Sequence, residues 1–283
     1  MTWLQGIAIL LGNVATRAFH NSWDRLVPPK CHPNTQCHPN IQCHPNTQVA
    51  AIQEILDWLD DPESAELVMW LHGARGVGKS AIVLTIAQLL CEQGRLSGSF
   101  FFPSGSTPGK DDERKLAPTL AYQLSKFLPE TRAHIATAVL NDHAIFDLAL
   151  LSQVQDLLID PLQIASDAVS SPPNASPRLF IVDGLAECHT EDVQYYILQV
   201  FAAAVESMQH RLPQRILIAS RSDIHHLTGF NELDTVICRR LPLDTDYHPD
   251  RRFLQDNFAK IRGEHRNTRK LTWLRCPCSN TSP

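Results

Sequence analysis

The stretch "ELVMWLHGARGVGKSAIVLTIAQLLCEQG", Glu66 to Gly94, decides how the rest of the chain is read. It opens with a short continuous apolar run closing on Gly73, the pattern of a strand buried on both faces. It ends with a segment of helical length and periodicity that stops at Gly94, a suitable helix C-cap. Between the two lies Gly73-Ala74-Arg75-Gly76-Val77-Gly78-Lys79-Ser80, which fits G-x-x-x-x-G-K-S/T. A strand before the string and a helix after it are the context that a phosphate-binding loop requires. Glycines let backbone amides converge on one point without side chains in the way. The following helix adds the positive end of its dipole. In that reading Lys79 contacts the β- and γ-phosphates of a nucleotide and the Ser80 hydroxyl holds Mg²⁺.

Working outward, the same alternation repeats. "VAAIQEILDWLDD", from Val49, carries Ile52, Ile55, Leu56 and Leu59 at helical spacing and ends at Asp60, Asp61 and Pro62. Downstream, "SGSFFFPSG" reads as a second strand, and a polar loop from Ser104 to Arg114 leads to the helix "KLAPTLAYQLSKFL". A helical stretch covers roughly Ser152 to Ile164, followed by the Pro- and Ser-rich loop "SSPPNASP". "RLFIVDG", "RILIASRSD" and "TVICRRLPL" supply three more strands, with the long helix "EDVQYYILQVFAAAVESMQH" after the first of them. "HPDRRFLQDNFAKIRGEHR" reads as a final amphipathic helix. Strands separated by helices imply parallel pairing with helices on both faces. The predicted fold is therefore α/β: a three-layer P-loop NTPase with a mainly parallel five-stranded sheet, its ligand site at the carboxyl ends of the strands.

A phosphate loop needs an acid from a neighbouring strand end as a second Mg²⁺ partner. Asp183, directly after the apolar run Leu179 to Val182, suits that role, usually through a water. Taken alone, Asp183 reads equally as a strand-end turn residue. Glu187, four residues on, is positioned to orient and polarise an attacking water. Arg221, at the end of the fourth strand, is a candidate cationic clamp on the γ-phosphate, against the plainer reading of an exposed loop arginine.

Composition bounds these readings. The chain has 283 residues, 43% hydrophobic and 19% charged, with a net charge of -5, an ordinary globular profile. The mildly acidic balance carries no electrostatic footprint for nucleic acid. Eight unevenly spaced cysteines, with Cys91, Cys188 and Cys238 in or beside apolar segments, favour a reduced, cytoplasmic protein over a disulfide framework. The apolar run Trp3 to Ala15 has no basic residue before it and is too short to span a bilayer, so membrane association is not expected.

Together, "ILDWL", "LHGARGVGKSAI", "GSFFF", "LAPTLAYQL", "LFIVDGLAEC" and "ILIASRSD" resemble, in order and spacing, the NACHT domain of fungal proteins similar to NOD-like receptors. The subgroup is that with nephrocystin-3-like N-terminal domains. The likeness runs from about His20 to about His265. Such proteins are signal-transduction ATPases that exchange ATP and ADP as a switch for oligomerisation; in fungi they are linked to self/non-self recognition and programmed cell death. The resemblance implies an ATP or ADP site with Mg²⁺ at Gly73 to Ser80, a Walker B Asp183 and a sensor Arg221. It also implies self-association or association with other NACHT-type proteins. Two departures stand out. The family usually writes a second Asp before the Glu of its second motif, where this chain has Ala186, which makes hydrolysis slow or absent and leaves binding less affected. The helical and winged-helix domains and the repeats that usually follow are not recognisable, so the chain reads as C-terminally truncated. Two other classes stay open: an ordinary P-loop NTPase with steady turnover, and a non-hydrolysing remnant acting as an interaction or decoy protein.

The expected organisation is a leader over 1–30, a linker over 31–48, the nucleotide-binding domain over 49–265 and an irregular tail over 266–283. The linker repeats one hexapeptide three times, as CHPNTQ, CHPNIQ and CHPNTQ, led by Cys31, Cys37 and Cys43. Its thiols and imidazoles offer enough donors for zinc, but each Cys-His pair would have to bend back on one ion while the following Pro stiffens the chain. Related fungal sequences carry one such element before the helix that leads to the phosphate loop. An expanded spacer is the reading favoured over zinc or an adventitious metal-binding tract, with Cys43-His44-Pro45 expected to pack at the start of the domain.

Overall fold

The computed structural model describes residues 48–102, 113–142, 144–168, 177–188, 190–208, 214–221 and 238–243. The leader, the hexapeptide copies up to residue 47, the final amphipathic helix and the tail lie outside these residues.

Five strands form one sheet: β1 (Val68–Gly73), β2 (Leu96–Phe101), β3 (Arg178–Asp183), β4 (Gln214–Arg221) and β5 (Cys238–Leu243). Their order is β2-β3-β4-β1-β5, and every pair is parallel. Both faces are covered. Alternate residues of each strand point to opposite sides, so Trp70, Phe100, Phe180, Val182, Ile216 and Ile218 enter one apolar cluster. Met69, Leu71, Leu179, Ile181, Leu217 and Ala219 enter the other. This two-sided burial is why the strands read as continuous apolar runs rather than as alternating ones.

The second cluster is closed by α1 (Val49–Asp60) and α2 (Lys79–Glu92). The first is closed by α3 (Leu116–Phe127), α4 (Arg132–Asn141), α5 (Leu150–Val154), α6 (Asp160–Ala168) and α7 (Glu191–Met208). A π-helical turn, Gln155–Ile159, joins α5 to α6. The connection from β1 to β2 runs one way along the sheet with α2 on one face. The connections from β2 to β3 and from β3 to β4 run the other way with their helices on the opposite face. Reversing direction and switching face together is what a single crossover hand demands. The predicted three-layer α/β architecture is observed.

Two polar devices hold elements to the sheet. β2 is an edge strand, and the buried Gln123 side chain of α3 binds it as another backbone would. Its Oε1 accepts from the Ser99 amide at 2.7 Å and its Nε2 donates to the Ser99 carbonyl at 2.9 Å. On the other face, buried Arg215 of β4 donates to the carbonyls of Trp58 and Asp61 at the C-terminus of α1. Each of those carbonyls otherwise accepts only a long backbone bond, from the Asp61 amide and the Ser64 amide respectively, both at 3.4 Å, and a guanidinium there also complements the helix dipole. Burial lowers the Arg215 pKa, while Asp61, Glu66 and Asp60 act to raise it.

Most of the expected helices and strands that fall on described residues, and the Gly94 turn, appear within about two residues of their predicted bounds. The helical stretch expected to end at Ile164 runs on to Ala168, and the fifth strand begins at Cys238 rather than Thr235. Strand β2 also differs, ending at Phe101 where the sequence pattern suggests Gly105. α4 was not anticipated: it buries only Ile135, Ala136 and Val139 and leaves Leu140 exposed, so its apolar pattern is faint.

Candidate functional site

β1 ends at Gly73 and α2 begins at Lys79, so the glycine-rich string forms the turn between them. Gly76 and Gly78 have φ of 87° and 99°, values that L side chains rarely adopt. Gly73 is required by a close approach: a Cβ there would sit 2.6 Å from the Leu243 carbonyl of β5. Val77 packs its side chain into the α1–α2 face of the core and pins the turn from behind. The Lys79 ammonium folds back over the turn and donates to the carbonyls of Gly73 at 2.8 Å and Ala74 at 2.7 Å.

Register brings the neighbouring strand ends to the same edge. Gly73 is paired with Arg221 of β4, and Ala219 of β4 with Asp183 of β3. β4 therefore stands between the turn and Asp183 and extends two residues past the latter. Asp183 is buried, and its backbone is locked on both sides. Its carbonyl accepts from the Phe102 amide at 2.9 Å, and the next amide, Gly184, donates to Ala219 at 3.2 Å. A 3-10 turn, Leu185–Glu187, follows; buried Leu185 anchors it and carries Glu187 back toward the sheet edge.

These elements enclose one cleft of about 320 Å³. Of the residues expected from the sequence, Arg75, Gly76, Gly78, Lys79, Ser80, Asp183, Glu187 and Arg221 line it. Gly73, Ala74 and Val77 do not: they form the back of the turn. Further lining comes from Leu84, Phe101, Phe102, Ala186 and Ser220. Ser220 is next to Arg221 in sequence, and only the strand order reveals that it faces the cleft. Phe101 and Phe102 become visible as site residues once β2 is seen beside β3.

The sequence matches the family described as nephrocystin 3, N-terminal, over residues 48–221. That span is well over half of the chain. The chain belongs to the nephrocystin 3 N-terminal family. The nephrocystin 3 N-terminal match opens at Gln48, the residue before α1, and closes at Arg221, so it contains every residue that lines the cleft. Among curated proteins no match is found. No helix among the described residues is long and apolar enough to cross a membrane.

The donor set fits a polyphosphate with a divalent cation. Two positive-φ glycines keep the turn free of side-chain bulk, and the ammonium of Lys79 and the guanidinium groups of Arg75 and Arg221 supply positive charge. The Ser80 hydroxyl and the Asp183 carboxylate are hard oxygen donors of the kind Mg²⁺ prefers.

Proposed function

We propose that this chain is a nucleotide-binding module taking ATP or ADP with Mg²⁺, and that it hydrolyses ATP slowly or not at all. What supports the reading is the convergence of Lys79, Ser80, Asp183, Glu187 and Arg221, from four separate segments, on a single cleft at the carboxyl edge of a parallel sheet. That edge is where ligands of open α/β folds bind. In this reading the turn amides and Lys79 hold the β- and γ-phosphates, and Ser80 and Asp183 are the Mg²⁺ partners. Arg221 is the clamp that distinguishes a triphosphate from a diphosphate. Bound Mg²⁺ neutralises phosphate charge, and the protein's part is to position and to exclude competing water. Lys79 must exchange its two carbonyl bonds for phosphate, so its engagement depends on ligand.

Slow turnover is favoured by one observation. Ala186 lines the cleft beside Glu187, at the position where similar fungal sequences carry a second acid. One carboxylate remains near any attacking water. A bound state that outlives hydrolysis suits a switch better than a turnover enzyme. We therefore propose a cytoplasmic signalling role of the NACHT type, of the fungal NOD-like-receptor kind, working through self-association or association with similar modules. Calorimetric affinities for ATP and ADP with and without Mg²⁺, alongside single-turnover hydrolysis, test it. Tight Mg²⁺-dependent binding with turnover below a few per minute is expected; steady faster turnover would make it an ordinary NTPase.

A further inference from the structure

Gln48 ends the third hexapeptide copy and immediately precedes α1. Three independent features meet on it. It has φ of 58°, the single positive-φ non-glycine residue among those described. Its Nε2 donates at 3.2 Å to the Val77 carbonyl, 29 residues away in the middle of the glycine-rich turn. Its Oε1 is buried and has no hydrogen-bond partner among the described residues. Starting a helix requires none of these. The Gln48 carbonyl already accepts the first helical bond, from Ile52 at 3.0 Å, and a side-chain cap on α1 is absent. A non-glycine residue held in a left-handed conformation, with an amide oxygen unsatisfied, persists where the surroundings fix it for another purpose.

The bond to Val77 has a direct consequence for the cleft. In a trans peptide the carbonyl and the following amide point in opposite directions. Holding the Val77 carbonyl toward Gln48 therefore turns the Gly78 amide away from it. Gly78 lines the cleft and Val77 does not. The Val77–Gly78 plane also needs an outside hold, because Gly78, at φ of 99°, has no Cβ to resist its rotation. Gln48 Nε2 lies 3.5 Å from where a Gly78 Cβ would be, directly against this plane.

We propose that Gln48 is a positioning residue of the glycine-rich turn, fixing the Val77–Gly78 peptide so that its amide serves a bound polyphosphate. The proposal rests on the nucleotide reading for its ligand, but the tether itself is independent of it. The last residue of the repeat is then a working part of the site.

The test compares the full chain with Gln48→Ala, Gln48→Glu and Lys79→Ala, using Mg²⁺-ATP and Mg²⁺-tripolyphosphate as probes. It also follows amide hydrogen exchange of residues 76–80 without ligand. Gln48→Ala and the isosteric Gln48→Glu, which cannot donate at neutral pH, are expected to speed exchange in the turn while leaving β1 unchanged. Both are expected to weaken ATP and tripolyphosphate alike, by about fivefold or more, the worth of one lost hydrogen bond. Unchanged exchange in the turn overturns the tether. Loss of ATP affinity with tripolyphosphate untouched also overturns the proposal, because Gln48 would then read the base or sugar. A Lys79→Ala variant that keeps wild-type ATP affinity sinks the nucleotide reading alone, and the exchange result still decides the tether.

Discussion

The Nε1–H of Trp70 donates to the Ser220 hydroxyl at 2.7 Å, joining the middle of β1 to the end of β4 beneath the cleft. Trp70 is fully buried and its ring stacks on His72, with centroids 4.3 Å apart. An indole bonded to a cleft-lining hydroxyl is a built-in reporter. Titration with Mg²⁺-ATP is expected to change tryptophan emission, and Trp70→Phe to remove that change although four other tryptophans remain. Leaving the Ser220 hydroxyl without its donor costs about 1–3 kcal/mol, readable by urea unfolding. A full emission response in Trp70→Phe would contradict the coupling.

Arg215 binds the C-terminus of α1 through the Trp58 and Asp61 carbonyls and lies over the Trp58 ring, 5.1 Å from its centroid. Arg215→Met keeps most of the apolar stem but removes both guanidinium bonds, leaving the Trp58 and Asp61 carbonyls only their 3.4 Å backbone donors. A loss of about 2–4 kcal/mol in equilibrium unfolding is expected, with α1 exchanging its amides first. Stability within 0.5 kcal/mol of wild type, about the scatter of surface substitutions, would show that the contact is dispensable.

Cys238 is a buried free thiol whose pKa burial pushes up to about 11. The raised value means that the folded state keeps its proton after the unfolded chain, with an ordinary thiol, has lost it. Stability is then fully present below about pH 9 and falls between pH 9 and 11. Cys238→Ala should flatten that decline. In mapped alkylation at pH 8, Cys238 should react far more slowly in the native protein than in urea. Equal rates in the two states would refute the buried placement.

Ala186→Asp places a second carboxylate on the wall that already carries Glu187. If the missing acid limits hydrolysis, the substitution raises single-turnover hydrolysis by an order of magnitude or more and leaves ATP affinity within a few-fold. Unchanged hydrolysis with unchanged affinity would assign slow turnover to another cause.

Sequence periodicity exposed most of this architecture because the strands are buried on both faces. A run such as Leu179 to Val182 can then hardly be read otherwise. Asp183 and Arg221 are legible because each directly follows or ends such a run, with Glu187 four residues beyond Asp183, and strand ends are where a parallel sheet gathers its ligands. What stayed hidden depends on strand order and on contacts distant in sequence. Nothing in "ASRS" tells that β4 lies between β1 and β3, which brings Ser220 to the cleft and under Trp70. Gln48 reads as part of the linker because it completes a repeated hexapeptide. Its reach of 29 residues to Val77 has no local signature. The helix Arg132–Asn141 has a faint signature for a different reason: its buried face is only Ile135, Ala136 and Val139, and an exposed Leu140 blurs its period.

The central claim is that the glycine-rich turn and Lys79 bind nucleotide phosphates, and one measurement addresses it most directly. Isothermal titration of Mg²⁺-ATP is compared between the wild-type chain and Lys79→Ala, with folding of both verified by circular dichroism. The account predicts saturable one-to-one binding for the wild type and a loss of at least a hundredfold for Lys79→Ala, since removing a desolvated charge partner of phosphate costs several kcal/mol. Equal affinity in the two proteins would contradict it.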